Sequence, residues 1–314
     1  MRVAALTAGT GVPEGDFCGR VAEVHARACL VDVADGTLLT LLGADLGSQP
    51  HGFTLLLPFG FSFSPMLARG AELAARARVL RLDGVPLTID LRTVRPWRSN
   101  LQALAIDLEM PAVRTAWRGA WEALRADARS EQLATLGEKA IGALRSATRD
   151  GDAATARDAM GQLVGLGAGR TPAGDDFLVG YAAGLQASRM SEAIRSFVPT
   201  LLNHLKQLSV RTNRLSQLYL NAAAEGEISE RLHAVAQVIA SGGEAAAVRR
   251  VLADALAVGH CSGAAGVLGL LHGSAGGHVV QSDADEAPSG NAGATLPACS
   301  PRNANPMQIA PSSR

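Results

Sequence analysis

Two stretches of this chain place glycine at the same uneven spacing, and that spacing limits how the surrounding helices can pack. Gly174, Gly180 and Gly184 lie six residues and then four apart, and Gly263, Gly269 and Gly273 repeat the pattern. Glycines four apart share one helix face. A face without side chains lets two backbones approach closely, so the spacing predicts two helices packed face to face with their N-terminal loops adjacent. Paired helix N-termini are a natural place for an anionic ligand. The second stretch is a degenerate copy. Ser262-Gly263 stands where Ala173-Gly174 stands in the first, and Ala264 and Ala265 stand where the first has Asp175 and Asp176.

The first stretch opens with Gly165-Leu-Gly-Ala-Gly-Arg-Thr-Pro-Ala-Gly174-Asp-Asp. It is not a dinucleotide fingerprint, because Arg170 occupies the required third glycine position and the preceding residues read as helix. Nor is it a P-loop: Gly169 and Gly174 have the spacing, but Asp175 and Asp176 stand where Lys and Ser/Thr are needed. What remains is a glycine-rich loop opening a helix. Thr171 and Pro172 form a good N-cap and first-position pair, and acids in the first turn favour the positive end of the helix dipole. Capping and dipole compensation account for one acid, whereas two adjacent acids behind four glycines point to a ligand- or metal-positioning site. Gly167, Gly169, Arg170, Thr171 and Gly174 are then substrate-binding candidates, and Asp175 and Asp176 catalytic ones. A divalent cation at the Asp pair is compatible with this reading.

Three further groups join the candidate site. His260, in Gly259-His-Cys-Ser-Gly263, is positioned as an acid/base or carbonyl-polarising residue. Ser262 and Gly263 follow it at the start of the second glycine helix. Arg211 and Thr212 open another helix, with Arg211 or Arg214 a candidate anion clamp. Trp117 and Trp121, four apart, read as core anchors. His25, His51, His204 and His233 have no ligand spacing, so no zinc site is assigned.

The fold class is α+β. Residues 1–98 read as a small β-rich domain, barrel or sandwich, with hairpin turns at Asp35-Gly36 and Asp83-Gly84 and a buried strand over Phe53–Leu57. Phe59–Pro65 is strand or loop. Residues 99–280 read as an α-helical domain, with helices predicted at Leu101–Leu108, Ala116–Ala128, Glu131–Ala147 and in seven later segments from 153 onward. Residues 281–314 lack periodicity and large apolar residues, which predicts a disordered tail.

Composition excludes several classes. The 29 basic and 29 acidic residues balance, which argues against a nucleic-acid binder. The 28 residues from Ala255 to Ser282 lack Asp, Glu, Lys and Arg, but seven glycines and three histidines interrupt them, so the stretch reads as interior and not as a membrane span. Four cysteines without a C-x-x-C pair, and no secretory pattern at the N-terminus, predict a soluble cytoplasmic protein.

The segment Gly167-x-Gly-Arg-Thr-Pro-Ala-Gly-Asp-Asp-Phe-Leu-Val-Gly180 resembles the signature of the AllH-type subunits of oxamate carbamoyltransferase. Thr212…Ser216 and Gly259-His-Cys-Ser-Gly263…Gly269 are similar to that family's later blocks, in the same order. The sequence departs from the pattern at Arg170, where the family has an apolar residue, at Ala173, where it has Ser, and near Ala265, where an acid is common. The resemblance implies a subunit of a multi-subunit carbamoyltransferase in ureide (allantoin) nitrogen catabolism. Such an enzyme interconverts oxalurate and phosphate with oxamate and carbamoyl phosphate. Other carbamoyltransferase subunits and a small anionic substrate are the implied partners. Two other readings are a non-catalytic small-acid-binding or assembly subunit, and a metal-dependent hydrolase resting on the Asp pair alone.

Overall fold

Alternating apolar residues and positive-φ turns build the N-terminal half. In the computed structural model, which describes residues 1–259 and 261–276 (side chains of 128–136 excepted), nine strands form one sheet. They are β1 (Arg2–Gly9), β2 (Phe17–Val24), β3 (Ala28–Val33), β4 (Leu38–Gly43), β5 (Gly52–Leu55), β6 (Glu72–Arg76), β7 (Val79–Leu82), β8 (Thr88–Asp90) and β9 (Arg95–Trp97). The order β5-β4-β3-β2-β6-β7-β8-β1 closes on itself through an antiparallel β1–β5 pairing, so eight strands make a barrel and β9 is added in parallel to β1. The sequence is compatible with barrel or sandwich, and the structure has the barrel. Both expected hairpins form, with Gly36 at φ +89° and Gly84 at φ +71° in the turns. Residues 59–65 form turns and no strand. Val31, Leu39, Leu41, Leu55, Leu80 and Ile89 fill the barrel.

Nine α-helices follow among the described residues: α1 (Pro111–Arg125), α2 (Ala128–Asp150), α3 (Ala153–Leu163), α4 (Ala173–Ala187), α5 (Glu192–Ser209), α6 (Arg214–Ala224), α7 (Glu230–Ala240), α8 (Ala245–Leu256) and α9 (Ser262–Ala275). Leu101–Leu108, expected as helix, is one 3-10 turn at Leu101–Ala103. Ala105 takes φ +49°, and Ile106 then bridges in parallel to Ser188, which stops a helix from propagating. Trp117 is the expected anchor: buried, with its Nε1 donating to the Leu271 carbonyl (3.3 Å) and to Ser274 Oγ (3.0 Å).

α4 and α9 are the glycine helices, and they form the centre of the helical half. A Cβ on Gly180 would lie 1.9 Å from the Gly266 carbonyl oxygen, and one on Gly269 would lie 2.0 Å from that of Phe177. Gly184 meets the Leu270 oxygen at 2.3 Å, and Gly273 meets that of Tyr181 at 2.2 Å. Each glycine therefore touches the backbone three residues before its counterpart on the other helix, so the contact is reciprocal. Residue numbers rise together along both helices, which makes the pair parallel and brings both N-termini to one end.

All elements just named belong to one compact unit. Polar pins join the barrel side to the helices. Ser99 Oγ donates to the Gly226 carbonyl (2.6 Å) and accepts from the Ile228 amide (3.1 Å), and the Ser48 amide donates to Glu230 Oε2 (2.7 Å). β4 is buried on both faces. Leu39 and Leu41 point into the barrel, while Thr40 and Leu42 face a cavity under the start of α4 and α9. The tail expected to be disordered over 281–314 lies outside the described residues, as does His260.

Candidate functional site

The cavity has a volume of about 600 Å³, within the range of about 300–1,000 Å³ usual for small-molecule sites. Its floor is the N-terminal end of the parallel pair. Ala168, Gly169, Arg170, Thr171 and Asp176 come from α4 and its loop, and Ser262, Gly263 and Gly266 from α9. α6 supplies Leu215 and Tyr219, and Glu227 to Leu232 close another side through the pins to Ser48 and Ser99. Opposite them stand the barrel residues His25, Leu30, Thr40 and Leu42.

Glycine shapes the loop before α4. Gly165, Gly167 and Gly169 take φ of +75°, +101° and +121°, values that L side chains rarely adopt. Among the described residues, none accepts a hydrogen bond from the amides of Gly167, Ala168 and Gly169, and the last two of these residues line the cavity. Within α4 the amides of Gly174, Asp175 and Asp176 are taken, donating to the carbonyls of Leu166, Pro172 and Pro172, which leaves Ala173 as the one first-turn amide without an acceptor among the described residues. The expected cap also differs. Pro172 holds the N-cap position, and the Thr171 hydroxyl instead shares a 2.9 Å hydrogen bond with Ser262 Oγ, tying the two helix starts together.

The two adjacent acids have opposite surroundings. Asp175 is 1% exposed; its Oδ1 accepts from the Gly165 amide (2.7 Å) and its Oδ2 from Thr212 Oγ1 (2.6 Å). It clamps the glycine loop to the end of α5 and does not line the cavity. Each oxygen thus accepts one hydrogen bond, and no cluster of three or more His, Cys, Asp or Glu suited to a metal occurs among the described residues. Asp176 does line the cavity, and its Oδ2 is buried without a hydrogen-bond partner. Burial pushes its pKa up to about 7; hydrogen bonds from Ser262 and Thr171 pull it down, and the Asp175 charge adds to the rise. This carboxyl is therefore divided between its acid and base forms near neutrality.

Positive charge enters from two arginines. Arg170 lines the cavity and reaches the barrel, pairing with Glu23 (2.9 Å) and contacting His25 Nε2. Arg231 at the start of α7 is held by main-chain carbonyls, Asp254 O at 2.7 Å and Asp45 O, and among the described residues it has no carboxylate partner. Its charge acts on Asp45 as well as on the cavity that it lines. Arg231 and Tyr219 were not singled out from the sequence. Neither sits in a motif, and only the tertiary arrangement puts them beside the loop. The one available signal for Tyr219 was its position one turn after Leu215 on α6.

The other candidates fall as follows. Gly169, Arg170, Thr171, Asp176, Ser262 and Gly263 line the cavity. Gly167 faces the Ala173 backbone, and Gly174 is pressed against the Leu163 carbonyl. Thr212 holds Asp175, while Arg211 lies over Gly161 of α3, away from the cavity lining. Arg214 pairs with Asp32 on the barrel (2.8 Å). No helix among the described residues is long and apolar enough to cross a membrane.

The β-barrel is joined to a helical layer, and a pocket lined by the carboxyls of Asp176 and Glu227 and by two arginines lies at the start of the parallel glycine-packed helix pair. Residues 163–274, from the end of α3 through α9, match the family model described as oxamate carbamoyltransferase subunit AllH. The matched span is about a third of the chain and carries the glycine loop, Asp176, Tyr219, Arg231 and Ser262. No curated protein and no solved structure matches the chain.

Proposed function

We propose that this chain is a carbamoyltransferase subunit whose cavity holds oxamate with carbamoyl phosphate, or oxalurate with phosphate. The observation that carries the reading is Asp176, a buried carboxyl with one unpartnered oxygen and a pKa near neutrality, set beside open loop amides and the Arg170 and Arg231 charges. The match to the AllH model supplies the reaction class.

The chemistry then runs through this chain's own groups. The amides of residues 167–169 with Arg170 and Arg231 hold the phosphate end, where charge develops as the leaving group departs. In the synthetic direction the oxamate amide nitrogen attacks the carbamoyl carbon. The C–N bond forms, the C–O bond to phosphate breaks, and phosphate leaves with the electron pair. The nitrogen's proton goes to the Asp176 carboxylate. In the reverse direction a phosphate oxygen attacks the ureido carbon of oxalurate, and the departing nitrogen takes its proton from the Asp176 acid. A general acid/base works best with a pKa near the operating pH, and that value serves both directions. This reading places the chain in ureide nitrogen catabolism in the cytoplasm, with other carbamoyltransferase subunits as partners.

The test is phosphate-dependent oxalurate cleavage by the full chain combined with the products of its neighbouring genes. Asp176→Asn is expected to lower kcat by about 100-fold or more, the usual contribution of a positioned acid/base, while remaining folded at neutral pH. Unchanged turnover removes Asp176 from the mechanism. One observation favours a second reading, a non-catalytic subunit binding a small acid: Asp175 is committed to holding the loop, and the second glycine helix carries no acid in its first turn. Thermal stabilisation by oxamate without turnover in any subunit combination would select it.

A further inference from the structure

α6 is fastened to the glycine loop from its first residue. Asn213 caps it, accepting from the amides of Leu215 and Ser216 (both 3.1 Å), and the same side chain donates to the Arg170 carbonyl at 2.9 Å. The face of α6 that starts at this tie carries Leu215 and, one turn on, Tyr219, both in the cavity wall, while Ser216 and Leu220 point into the protein.

The chain has two tyrosines. Tyr181 is enclosed, and its hydroxyl shares a 2.7 Å hydrogen bond with Thr148. Among the described residues the Tyr219 hydroxyl has no such partner, and the half-buried ring stands in the cavity wall. It shares that cavity with Asp176 and Arg170, and the charges of both are felt at the phenol. On the same floor, Asp176 Oδ2 is also unpartnered. One cavity thus has in its wall two polar side chains with hydrogen-bonding capacity that the protein leaves unused, and a ligand there can take up both contacts.

We infer that Tyr219 donates its phenol hydrogen to the carbonyl oxygen of the carbamoyl or ureido group, beside the Asp176 carboxyl that handles the adjacent nitrogen's proton. The inference rests on the carbamoyltransfer reading above and assigns the two ends of the substrate. A carboxylate or phosphate is disfavoured in direct contact with Asp176 whenever that group is ionised, so the charged group of the substrate pairs with Arg170, Arg231 and the loop amides. The uncharged carbonyl end belongs with Tyr219. Burial and the Asp176 charge keep the phenol protonated, up to about pH 12, so it acts as a donor throughout the working range. The substrate class is a small acid carrying an anionic group at one end and an amide or ureide carbonyl at the other. As charge accumulates on that oxygen during transfer, the hydrogen bond strengthens, which makes Tyr219 a contributor to rate more than to binding.

Because there are only two tyrosines, 3-fluorotyrosine labelling of the full chain gives two ¹⁹F resonances, and Tyr219→Phe identifies one of them. Oxamate or oxalurate is expected to move the Tyr219 resonance and leave that of Tyr181 in place. In the oxalurate cleavage assay with partner subunits, Tyr219→Phe is expected to lower kcat by about 100-fold with KM within about threefold, since the ring and its packing are kept. Oxamate binding or wild-type turnover with a stationary Tyr219 resonance, or with kcat of the variant within twofold of wild type, overturns the assignment while leaving carbamoyltransfer standing. Absence of both turnover and any ¹⁹F shift with oxamate, oxalurate, carbamoyl phosphate or phosphate overturns the assignment together with the reading beneath it.

Discussion

Replacing Gly180 by alanine tests whether close contact between α4 and α9 is what the repeated glycine spacing provides. The added Cβ would lie 1.9 Å from the Gly266 carbonyl oxygen and 2.8 Å from the Leu270 amide nitrogen. Both are backbone atoms of a buried helix and cannot rotate away. An ordinary contact needs about 3.3 Å, so the two backbones must part locally by about 1.4 Å, and a gap of even ~0.5–1 Å already forfeits a quarter to a half of the dispersion attraction across it. Overpacking of this kind costs about 3 kcal/mol at the upper end of the usual range, and more when backbone must move. Alanine's better helix propensity returns about 1 kcal/mol. The net loss is about 2–3 kcal/mol, or a fall in Tm of roughly 4–12 °C for a unit of this size.

Gly142 on α2 is the internal control. It is exposed, and a Cβ added there would meet nothing within 4 Å, so Gly142→Ala is expected to raise stability by up to about 1 kcal/mol. Thermal and denaturant unfolding of the two variants beside the parent gives the answer. A Gly180→Ala protein that melts within 1 °C of wild type, or above it, with the control behaving as expected, refutes the claim that backbone contact fixes this helix pair. Because α4 and α9 also start at the cavity, the destabilised variant should bind oxamate more weakly even where it remains folded.

Two further outcomes follow from the adjacent acids. Asp175→Asn weakens two charge-assisted hydrogen bonds that close the loop, each worth about 1.5–3 kcal/mol, so denaturant unfolding should show a loss of several kcal/mol, with Thr212→Val losing part of the same amount. Asp176 has the opposite stability signature. Its folded pKa of about 7 lies above the unfolded carboxylate value, so the folded state holds the extra proton between about pH 4 and 7, and its contribution to stability declines as pH rises through that window. His51 and His233, whose pKa values burial lowers, bias the curve the other way, but they are present in both proteins. The difference between wild type and Asp176→Asn in pH-dependent thermal unfolding should therefore show wild type losing ground from pH 5 to 8; a flat difference contradicts a buried, neutral-leaning Asp176.

The helical half was legible because its signals are local. Period-3.6 apolar patterns and capping residues place α3 to α9 within a few residues, and the glycine spacing marks the pair that packs most closely. Leu101–Leu108 failed because its composition suits a helix while Ala105 and the Ile106–Ser188 bridge impose another path, and that bridge partner lies more than eighty residues away. Asp175 and Asp176 could not be told apart, since neighbours on a helix differ by about 100° in direction and composition carries no information on which direction is loop and which is cavity. Arg231 and Tyr219 were out of reach for a related reason. The Ser48–Glu230 and Ser99–Gly226 hydrogen bonds that bring the start of α7 to the cavity join residues far apart in sequence.

The reciprocal packing of α4 and α9 sharpens the meaning of the one difference between the two glycine stretches. Structurally the helices are near equivalents: Gly180, Gly184, Gly269 and Gly273 each meet the backbone three residues before their counterpart on the other helix, and both N-termini open on the same cavity. Chemically they are unequal, because Ala265 stands where α4 has Asp176. An acid at both places would set two carboxylates at one end of a low-dielectric cavity, raising the pKa of one and drawing cations to the other. With alanine on α9, Asp176 is the one carboxyl that the paired helix starts bring to Arg170, Arg231 and the loop, and the balance of charge there turns toward an anionic ligand. The duplication thus supplies a near-symmetric frame in which only one of the two helix starts carries an acid to the cavity.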